Sequence, residues 1–274
     1  MSGTLYVVAT PIGNLEDMSY RAVRILSEVA LIAAEDTRHS RRLLDHYAIM
    51  TRLISCHEHN EQERSGELIA KLQAGEDVAL ISDAGTPAIA DPGYRLVRAC
   101  RLAGLEVVCV PGCNAMIAGL SISGLPTDSF RFLGFLPSKR GPRQKFITQF
   151  CAADHTLVFY ETPHRLLAAL EDLAQLCGPT REVAIGRELT KKHEELFLGT
   201  LTAAREHFSQ KTVKGELVLM LAAGEKELPQ ETVEEALQRL HAEGGLSWKE
   251  IVKRVAKEHG LPGSDVYRRS LSLR

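Results

Sequence analysis

The chain has 274 residues, of which 45% are hydrophobic and 25% are charged, a composition typical of a globular protein with ample material for a core. Its formal net charge of −2 at pH 7 provides no global positive field for nucleic acid, so any basic surface must be local. No apolar run is long enough to span a bilayer, and the N-terminus lacks the features of a secretion signal. We therefore expect a cytoplasmic protein without a membrane partner, made of two moderate domains or one domain with extensions.

The six cysteines contain no Cys-x-x-Cys pair, and most of them lie in apolar surroundings. They are Cys56, Cys100, Cys109, Cys113, Cys151 and Cys177. This pattern predicts reduced, structural thiols and no zinc site.

Up to about residue 120 the sequence alternates short apolar runs with helical patterns. The apolar runs, which are typical of buried strands, are residues 5–9, 30–34, 52–55, 78–81 and 106–110. Helical periodicity follows behind candidate N-caps at Ser19, Thr37, Asn60 (paired with Glu63) and Asp91. Such alternation predicts a parallel sheet with helices on both faces.

The loop after the strand at 78–81 is built almost wholly from small residues. Ala84, Gly85 and Thr86 leave the backbone uncovered, so a ligand can approach its N–H and C=O groups. Ligands of open parallel sheets bind beyond the carboxyl ends of the strands, where this loop must lie. A tight turn without a ligand is the alternative, but it would not need small residues over so long a loop.

Three further segments should lie at the same edge of the sheet: residues 10–15, the pair Glu35-Asp36, and residues 111–115. No G-x-G-x-x-G follows the first strand, and no Walker lysine motif occurs. A cofactor bound through backbone and small polar groups is therefore favoured over one that bears phosphate, although helix N-termini without these motifs also bind phosphate.

The regular alternation of strand and helix patterns ends after residues 124–126. Strand patterns cover residues 130–135, 155–160, 182–188, 194–200 and 215–221, and Thr162-Pro163 opens a helix. Short connections between several strands predict antiparallel pairing and a mixed sheet. We therefore expect an α/β fold with one domain over residues 1–120, a second over 121–223, and a helical tail over 224–274.

Two local segments are basic. Residues 138–145 contain Lys139, Arg140, Arg143 and Lys145 without an acidic residue, and from residue 249 onward seven basic residues stand against three acidic ones. Beyond a linker at 223–229, the capping box at 247–250 and the glycines at 260 and 263 outline a helix-turn-helix. Together they suggest contacts with RNA phosphates; a solvated face, or a tail that serves dimer packing or covers the second domain, is the alternative.

Five stretches in order resemble the tetrapyrrole-methylase superfamily of class III S-adenosylmethionine-dependent methyltransferases, and within it the ribosomal RNA branch. They are residues 8–15 (VATPIGNL), 34–38 (AEDTR), 82–87 (SDAGTP), 110–112 (VPG) and 161–165 (ETPHR). The resemblance covers nearly the whole chain. It implies S-adenosylmethionine bound in a cleft between two α/β domains, without a metal, usually in a homodimer. It also implies 2′-O-methylation of a cytidine in the decoding region of small-subunit (16S) ribosomal RNA, as free RNA or in the assembled small subunit.

The same resemblance implies a set of cofactor-binding residues. The superfamily's Gly-Asp-Pro loop falls on Gly85-Thr86-Pro87, with Thr in place of Asp, so a contact that this Asp makes in relatives does not carry over. The full set is Pro11, Gly13, Asp83, Ala84, Gly85, Thr86, Ile89, Asn114, Ala115, Tyr160, Arg187 and Gly215.

Methyl transfer to a ribose hydroxyl is an in-line displacement, so positioning should contribute most and a base can assist. Asp36, Glu35 and His57 are candidate bases, Arg38 is a candidate phosphate ligand, and Asn14 lies beside a substrate loop. The alternatives are structural: Asp36 as a helix cap paired with Arg38, Asn14 as a turn residue, and His57 as a surface residue. The catalytic set is therefore expected among Asp36, Glu35, Arg38 and Asn14.

Two rival functions fit parts of the pattern. A methyltransferase for a small tetrapyrrole-like acid would use the same cleft but has no use for the basic segments. A non-enzymatic RNA-binding module would carry a vestigial cleft.

Overall fold

The computed structural model describes residues 2–224 and 231–273. The chain divides into two compact units, the first running to Gly224 and the second beginning after it. None of the described helices is long and apolar enough to cross a bilayer. The larger unit contains two five-stranded sheets, and the assignment of each sheet to a domain of its own stays a prediction.

The first sheet is entirely parallel and has the strand order β3-β2-β4-β1-β5. Its strands are β1 (Thr4–Val8), β2 (Leu31–Ala34), β3 (Leu53–Ser55), β4 (Val78–Ile81) and β5 (Glu106–Val110). The helices that follow them are α1 (Tyr20–Glu28), α2 (Thr37–His46), α3 (Glu61–Gln73), α4 (Tyr94–Leu102) and α5 (Ala115–Ile122). The predicted parallel sheet is therefore confirmed, and one apolar cluster lies on each of its faces.

Two interior strands are buried as predicted, but one edge strand is not. Every residue of β2 and β4 is buried, as expected of strands covered on both faces. Glu106 and Cys109 of β5 are exposed, because β5 pairs only with β1 and forms an edge of the sheet. The prediction of a buried strand at 106–110 is wrong in this respect.

Of the predicted helix caps, Ser19 is confirmed, since its hydroxyl accepts from the Ala22 N–H. The cap of α2 is Asp36, whose carboxylate accepts from the Arg38 N–H, so the prediction of Thr37 is wrong. Asn60 makes no cap bond to α3; its amide oxygen accepts from the His57 N–H instead.

The prediction that Asp91 caps α4 is also wrong. The residue before that helix is Gly93, with φ +132°, and it has no side chain to offer. A long-range acceptor replaces the local one: Oε1 of the buried Glu61 accepts from the N–H groups of Gly93, Arg95 and Leu96. Asp91 is thereby left available to line a cavity.

The second sheet is mixed and has the order β6-β7-β10-β8-β9. Its strands are β6 (Phe130–Phe135), β7 (Thr156–Glu161), β8 (Glu182–Arg187), β9 (Glu195–Thr200) and β10 (Leu217–Leu221), with α6 (Arg140–Thr148), α7 (Pro163–Cys177) and α8 (Leu201–Ser209). β6 and β7 are parallel, whereas the other pairs are antiparallel, which confirms the mixed sheet. The helices α6 and α8 were not predicted from the sequence.

Two features around α6 and α7 depart from expectation. Cys151 and Cys177 form a disulfide with Cα atoms 5.0 Å apart, so the prediction of reduced thiols is wrong for this pair. In the basic segment 138–145, Arg143 is buried and its guanidinium pairs with the buried Asp172 at 2.7 Å. Arg143 is thus a core residue and cannot contact RNA, whereas Lys139, Arg140 and Lys145 are exposed.

Helix α5 connects the two sheets through packing. Leu120 lies in one apolar cluster with Val158 of β7 and with Val218 and Met220 of β10. A Cβ atom added to Gly119 would approach the Met220 side chain to 3.3 Å. The small residue at 119 therefore allows α5 to pack closely against the second sheet.

The second compact unit is helical, as predicted. It contains α9 (Val233–Glu243), α10 (Trp248–His259) and α11 (Gly263–Ser270) around one apolar cluster. The predicted capping box of Ser247 and Glu250 is present, and Gly260 adopts the left-handed conformation after α10. Of the predicted linker at 223–229, residues 225–229 lie outside the described residues.

Candidate functional site

A cleft of about 360 Å³ lies between the carboxyl edge of the first sheet and the face of the second. On the first side it is lined by Ile12, Glu35, Asp83, Ala84, Gly85, Thr86, Ile89, Ala90, Asp91, Asn114 and Ala115. On the other side it is lined by Phe135, Tyr160, Glu161, Thr162, Pro163, Gly186, Leu189, Gly215, Glu216, Leu217 and Val218. A concave, largely apolar site with a few polar groups is the usual form of a small-molecule site.

The loops of the first wall are tied to one another. The N–H of Thr10 donates to the Gly85 carbonyl at 2.9 Å, and the N–H of Gly85 donates back to the Thr10 carbonyl at 3.0 Å. The Thr86 hydroxyl donates to the Cys113 carbonyl at 3.0 Å. Because Gly85 has φ +80°, a conformation that side chains disfavour, this arrangement explains the glycine at that position.

The second wall presents aromatic rings and open backbone. The Tyr160 hydroxyl accepts from the Met116 N–H at 3.3 Å, which joins the two walls. The Phe135 ring contacts Tyr160 edge to face, with ring centroids 5.7 Å apart. Gly215 has φ +87°, and a Cβ atom there would collide with the Glu188 carboxylate. The backbone of residue 215 is therefore uncovered where it lines the cleft.

The charged groups that line the cleft are all acidic. They are Glu35, Asp83, Asp91, Glu161 and Glu216, and no Lys, Arg or His is among the described lining residues. Burial, reinforced by the nearby charges of Asp83 and Glu216, raises the pKa of Asp91 to about 6, although the Ser82 hydroxyl opposes the shift. Burial and the charges of Asp91 and Asp83 likewise raise the pKa of Glu35. Such a lining favours a cationic ligand and disfavours phosphate.

Among the lining acids, Glu161 belongs to a local ion pair. Its side chain is fully buried, and Oε1 lies 3.2 Å from Nε of Arg165. Oε1 also accepts from the Thr162 N–H at 2.7 Å. Burial raises the pKa of Glu161 against these favourable contacts. The pair fixes the start of α7, where Thr162 and Pro163 reach the cleft.

Ten of the sixteen residues proposed from sequence line this cleft. They are Glu35, Asp83, Ala84, Gly85, Thr86, Ile89, Asn114, Ala115, Tyr160 and Gly215. Asn114 also caps α5, since its side chain accepts from the Ile117 N–H. The structure thus brings together most of the expected cofactor residues and one of the four expected catalytic ones.

The other six lie outside the cleft lining. Pro11 is buried beside Ile12, and Gly13 lies against the Lys191 side chain. Asn14 caps a 3₁₀ turn at Leu15–Asp17. Arg187 is engaged by the Glu195 carboxylate at 2.9 Å and by two backbone carbonyls.

Asp36 and Arg38 complete this group and lie just beyond the cleft. The N–H of Asp36 donates to Oδ1 of Asp83 at 3.0 Å, so the two loops are joined there. Hydrogen bonding from the Arg38 N–H lowers the pKa of Asp36, which makes it a poor proton acceptor. The candidate base His57 is likewise absent from the cleft lining. Its backbone N–H donates to the amide oxygen of Asn60.

Sequence reasoning missed Asp91, Glu216 and Phe135 as site residues. The sequence indicates Asp91 as a helix cap, but Glu61, thirty residues away, accepts the hydrogen bonds of that helix start, and Asp91 lines the cleft. Glu216 is the neighbour of Gly215, a site residue proposed from sequence, and Phe135 is the last residue of a predicted strand. Both could therefore have been identified from their positions in the sequence. No described group of three or more His, Cys, Asp or Glu is arranged to hold a metal ion.

Comparison with known proteins gives a consistent result. The family model for tetrapyrrole (corrin/porphyrin) methylases matches residues 4–205. The chain is 48% identical to ribosomal RNA small subunit methyltransferase I of Synechocystis sp., over 99% of this chain and 98% of that protein. It is 46% identical to the protein of the same name from Halalkalibacterium halodurans, over 97% and 93% of the respective chains.

Solved structures share the fold at low sequence identity. The methyltransferase CobJ superposes with a TM-score of 0.62 at 19% identity, over 81% of this chain and 95% of its own. Uroporphyrin-III C-methyl transferase from Thermus thermophilus, complexed with S-adenyl homocysteine, superposes with a TM-score of 0.57 at 20% identity, over 81% and 97%. The α/β fold expected from sequence is confirmed.

Proposed function

Because this chain belongs to the tetrapyrrole (corrin/porphyrin) methylase family, we propose that it transfers a methyl group from S-adenosylmethionine to small-subunit ribosomal RNA in the cytoplasm. The observation that carries the proposal is near-full-length identity of 46–48% to relatives named for that activity. The finer assignment, to the 2′-oxygen of a cytidine in the decoding region, rests on the sequence motifs and is part of the proposal.

The cleft suits this methyl donor in charge and shape. The donor has a net positive charge, because its sulfonium and ammonium groups outweigh its one carboxylate, and the acidic lining would stabilise these two cationic groups. Uncovered backbone at Ala84, Gly85 and Gly215 leaves room for polar groups of a nucleoside to reach N–H and C=O groups. Leu189 and Val218 offer apolar surface for the base. An acidic tetrapyrrole, the substrate of the first rival function, would meet repulsion from the same lining.

The bound donor supplies an electrophilic methyl group, and the protein must orient the attacking hydroxyl and receive its proton. We assign the proton acceptor to Asp91 or Glu35, which line the cleft. The O–H bond of the ribose breaks toward the carboxylate, the oxygen forms the new C–O bond, and the C–S electron pair remains on sulfur. A carboxylate whose pKa lies near 6 is ionised at pH 7 yet retains appreciable basicity.

The expected homodimer has support in the apolar surface. Leu196 and Leu198 on the edge strand β9 are exposed, as are Ile117 and Ile122 on α5. Leu198 approaches Gly124, just beyond α5, so the two exposed sets adjoin. Contiguous exposed apolar side chains beside an unpaired edge strand are typical of a subunit interface. Sedimentation of the protein with Leu196→Glu and Leu198→Glu should show a shift from dimer to monomer.

The direct test incubates the protein with methyl-labelled donor and either assembled small ribosomal subunits or free RNA. We expect label in the RNA of the small subunit, and mass mapping of the modified nucleotide should place the methyl group on a cytidine ribose. Absence of label in every ribosomal RNA species would refute the proposal. Donor binding without transfer would point to another substrate, and absence of donor binding to the non-enzymatic alternative.

A further inference from the structure

A second concavity lies beside the cleft, between the start of α2 and the edge strand β3. It is open and shallow, and we call it the α2–β3 groove. It is lined by Thr37, Arg38, Arg41, Leu53, Ile54 and Ser55. None of these residues lines the cleft, so the groove is a separate surface feature of the first sheet.

The groove carries two arginine side chains that a ligand can reach. The Arg38 side chain is 92% exposed, and its guanidinium pairs with the Asp36 carboxylate at 3.4 Å. Arg41, one helical turn later and on the same face, forms no ion pair with any residue in 2–224 or 231–273. The first turn of α2 adds the partial positive charge of a helix N-terminus. On the opposite side, the Ser55 hydroxyl oxygen accepts from the Asn60 amide at 3.2 Å, and its O–H can donate to a ligand.

The groove and the cleft are neighbours along the chain. Glu35 lines the cleft, Thr37 lines the groove, and Asp36 alone separates them. Two residues of extended backbone span about 7 Å, which is the length of one nucleotide. The hydrogen bond from Asp36 N–H to Asp83 holds this junction in place. A chain that enters the cleft with one nucleotide can therefore place its neighbouring phosphate over the groove.

The charges of the two sites are opposite. The cleft is lined by carboxylates and would repel phosphate, whereas the groove has two arginines. A polyanion can place a ribose in the cleft only if its phosphates are held outside it. From this contrast, and on the basis of the proposed function, we propose that the α2–β3 groove binds the RNA backbone beside the target nucleotide, with Arg38 and Arg41 as phosphate ligands.

The helix supplies a matched control. Arg42 follows Arg41 on α2, is exposed, forms no ion pair with any described residue, and lies outside the groove lining. The variants to compare are Arg38→Ala/Arg41→Ala, Arg38→Lys/Arg41→Lys and Arg42→Ala. Binding is measured by fluorescence anisotropy with a labelled single-stranded RNA of the decoding region, and separately with small ribosomal subunits, over a range of salt concentrations.

We expect the double alanine variant to lose about tenfold or more in RNA affinity, with a salt slope reduced by about 1 to 2. The lysine variant should recover most of the affinity, because a phosphate accepts a point charge. The donor affinity, measured by calorimetry, and the melting temperature of the double alanine variant should equal those of the wild type. The Arg42→Ala variant should bind RNA with wild-type affinity. Unaltered RNA affinity of the double alanine variant, or an equal loss in Arg42→Ala, would overturn the proposal.

Failure of the proposed function is distinguished from failure of the groove by the wild-type protein. If the wild type binds RNA through the groove but methylates no ribosomal RNA, the function is wrong and the groove stands. If the wild type methylates RNA and the double alanine variant binds and reacts equally well, the groove is wrong and the function stands.

Discussion

Oε1 of Glu61 accepts a hydrogen bond from the backbone N–H of Gly93 at 3.0 Å. The same oxygen accepts from the N–H groups of Arg95 and Leu96 at 2.9 and 3.2 Å. One buried carboxylate on α3 thus satisfies the free donors at the start of α4. It also fixes the end of the loop that carries Gly85, Thr86 and Asp91 to the cleft.

Replacing Glu61 with alanine should therefore lower both stability and donor affinity. Two buried N–H groups and the half-buried N–H of Arg95 would lose their side-chain acceptor, and we expect a loss of about 2–3 kcal/mol in the free energy of unfolding. Urea denaturation and calorimetry with the donor measure the two effects. Glu63→Ala, an exposed change on the same helix, should cost less than about 0.5 kcal/mol. Equal behaviour of the two variants would contradict the role assigned to Glu61.

Replacing Asp91 with asparagine should stabilise the protein above pH 6. The folded-state pKa is raised to about 6 from an ordinary value of 3.8, so between these values the unfolded chain holds fewer protons than the folded one. Wild-type stability then falls as pH rises through this window. The melting temperatures of the two proteins should be similar near pH 4, and the variant's should be higher at pH 8.

The same substitution tests the proton acceptor. If Asp91 receives the ribose proton, the wild-type rate should fall as the pH drops and this carboxylate is protonated, and Asp91→Asn should lose about 100-fold or more of the rate. Single-turnover transfer at saturating donor and RNA measures it. A large loss in Glu35→Gln with little loss in Asp91→Asn would assign the role to Glu35.

Alanine at Gly215 should disrupt the second wall. Its Cβ atom would collide with the Glu188 carboxylate, and the residue would be held at φ +87°. We expect destabilisation of about 1–3 kcal/mol and weaker donor binding. Gly141→Ala is the control, because nothing lies within 4 Å of its added Cβ atom in α6, and it should be neutral or stabilise by up to about 1 kcal/mol.

The basic segment 138–145 should separate into two kinds of residue. Arg143→Ala removes the buried cationic partner of Asp172, which keeps Arg140 at 3.4 Å and Gln144 at 2.8 Å, and should cost about 3 kcal/mol, with RNA affinity of the folded protein unchanged. Lys139→Ala/Lys145→Ala should leave the melting temperature unchanged and reduce RNA affinity if this segment meets the substrate. Thermal melts and anisotropy on the same preparations check both expectations.

The sequence could predict what depends on local pattern. Apolar runs predicted both sheets, and the parallel order of strands brought Glu35, Gly85 and Asn114 to one edge. What failed depends on contacts distant in sequence. Asp91 resembled a cap, but Glu61 performs that task from another helix. Arg143 resembled a solvated charge, but Asp172, 29 residues later, buries it. Cys151 and Cys177 meet only because α6 and α7 pack together.

The contact of Gly119 with Met220 bears on how wide the donor site can open. Helix α5 leads directly from Asn114 and Ala115 at one wall and packs on the strand beneath the other, so its thickness acts as a spacer. A bulkier residue at 119 would press on Met220 and on Val218, which itself lines the cleft, and would push the walls apart by lengthening that spacer. The size of the residue at this one position would therefore set the width of the cleft, and with it the time for which the demethylated donor stays bound.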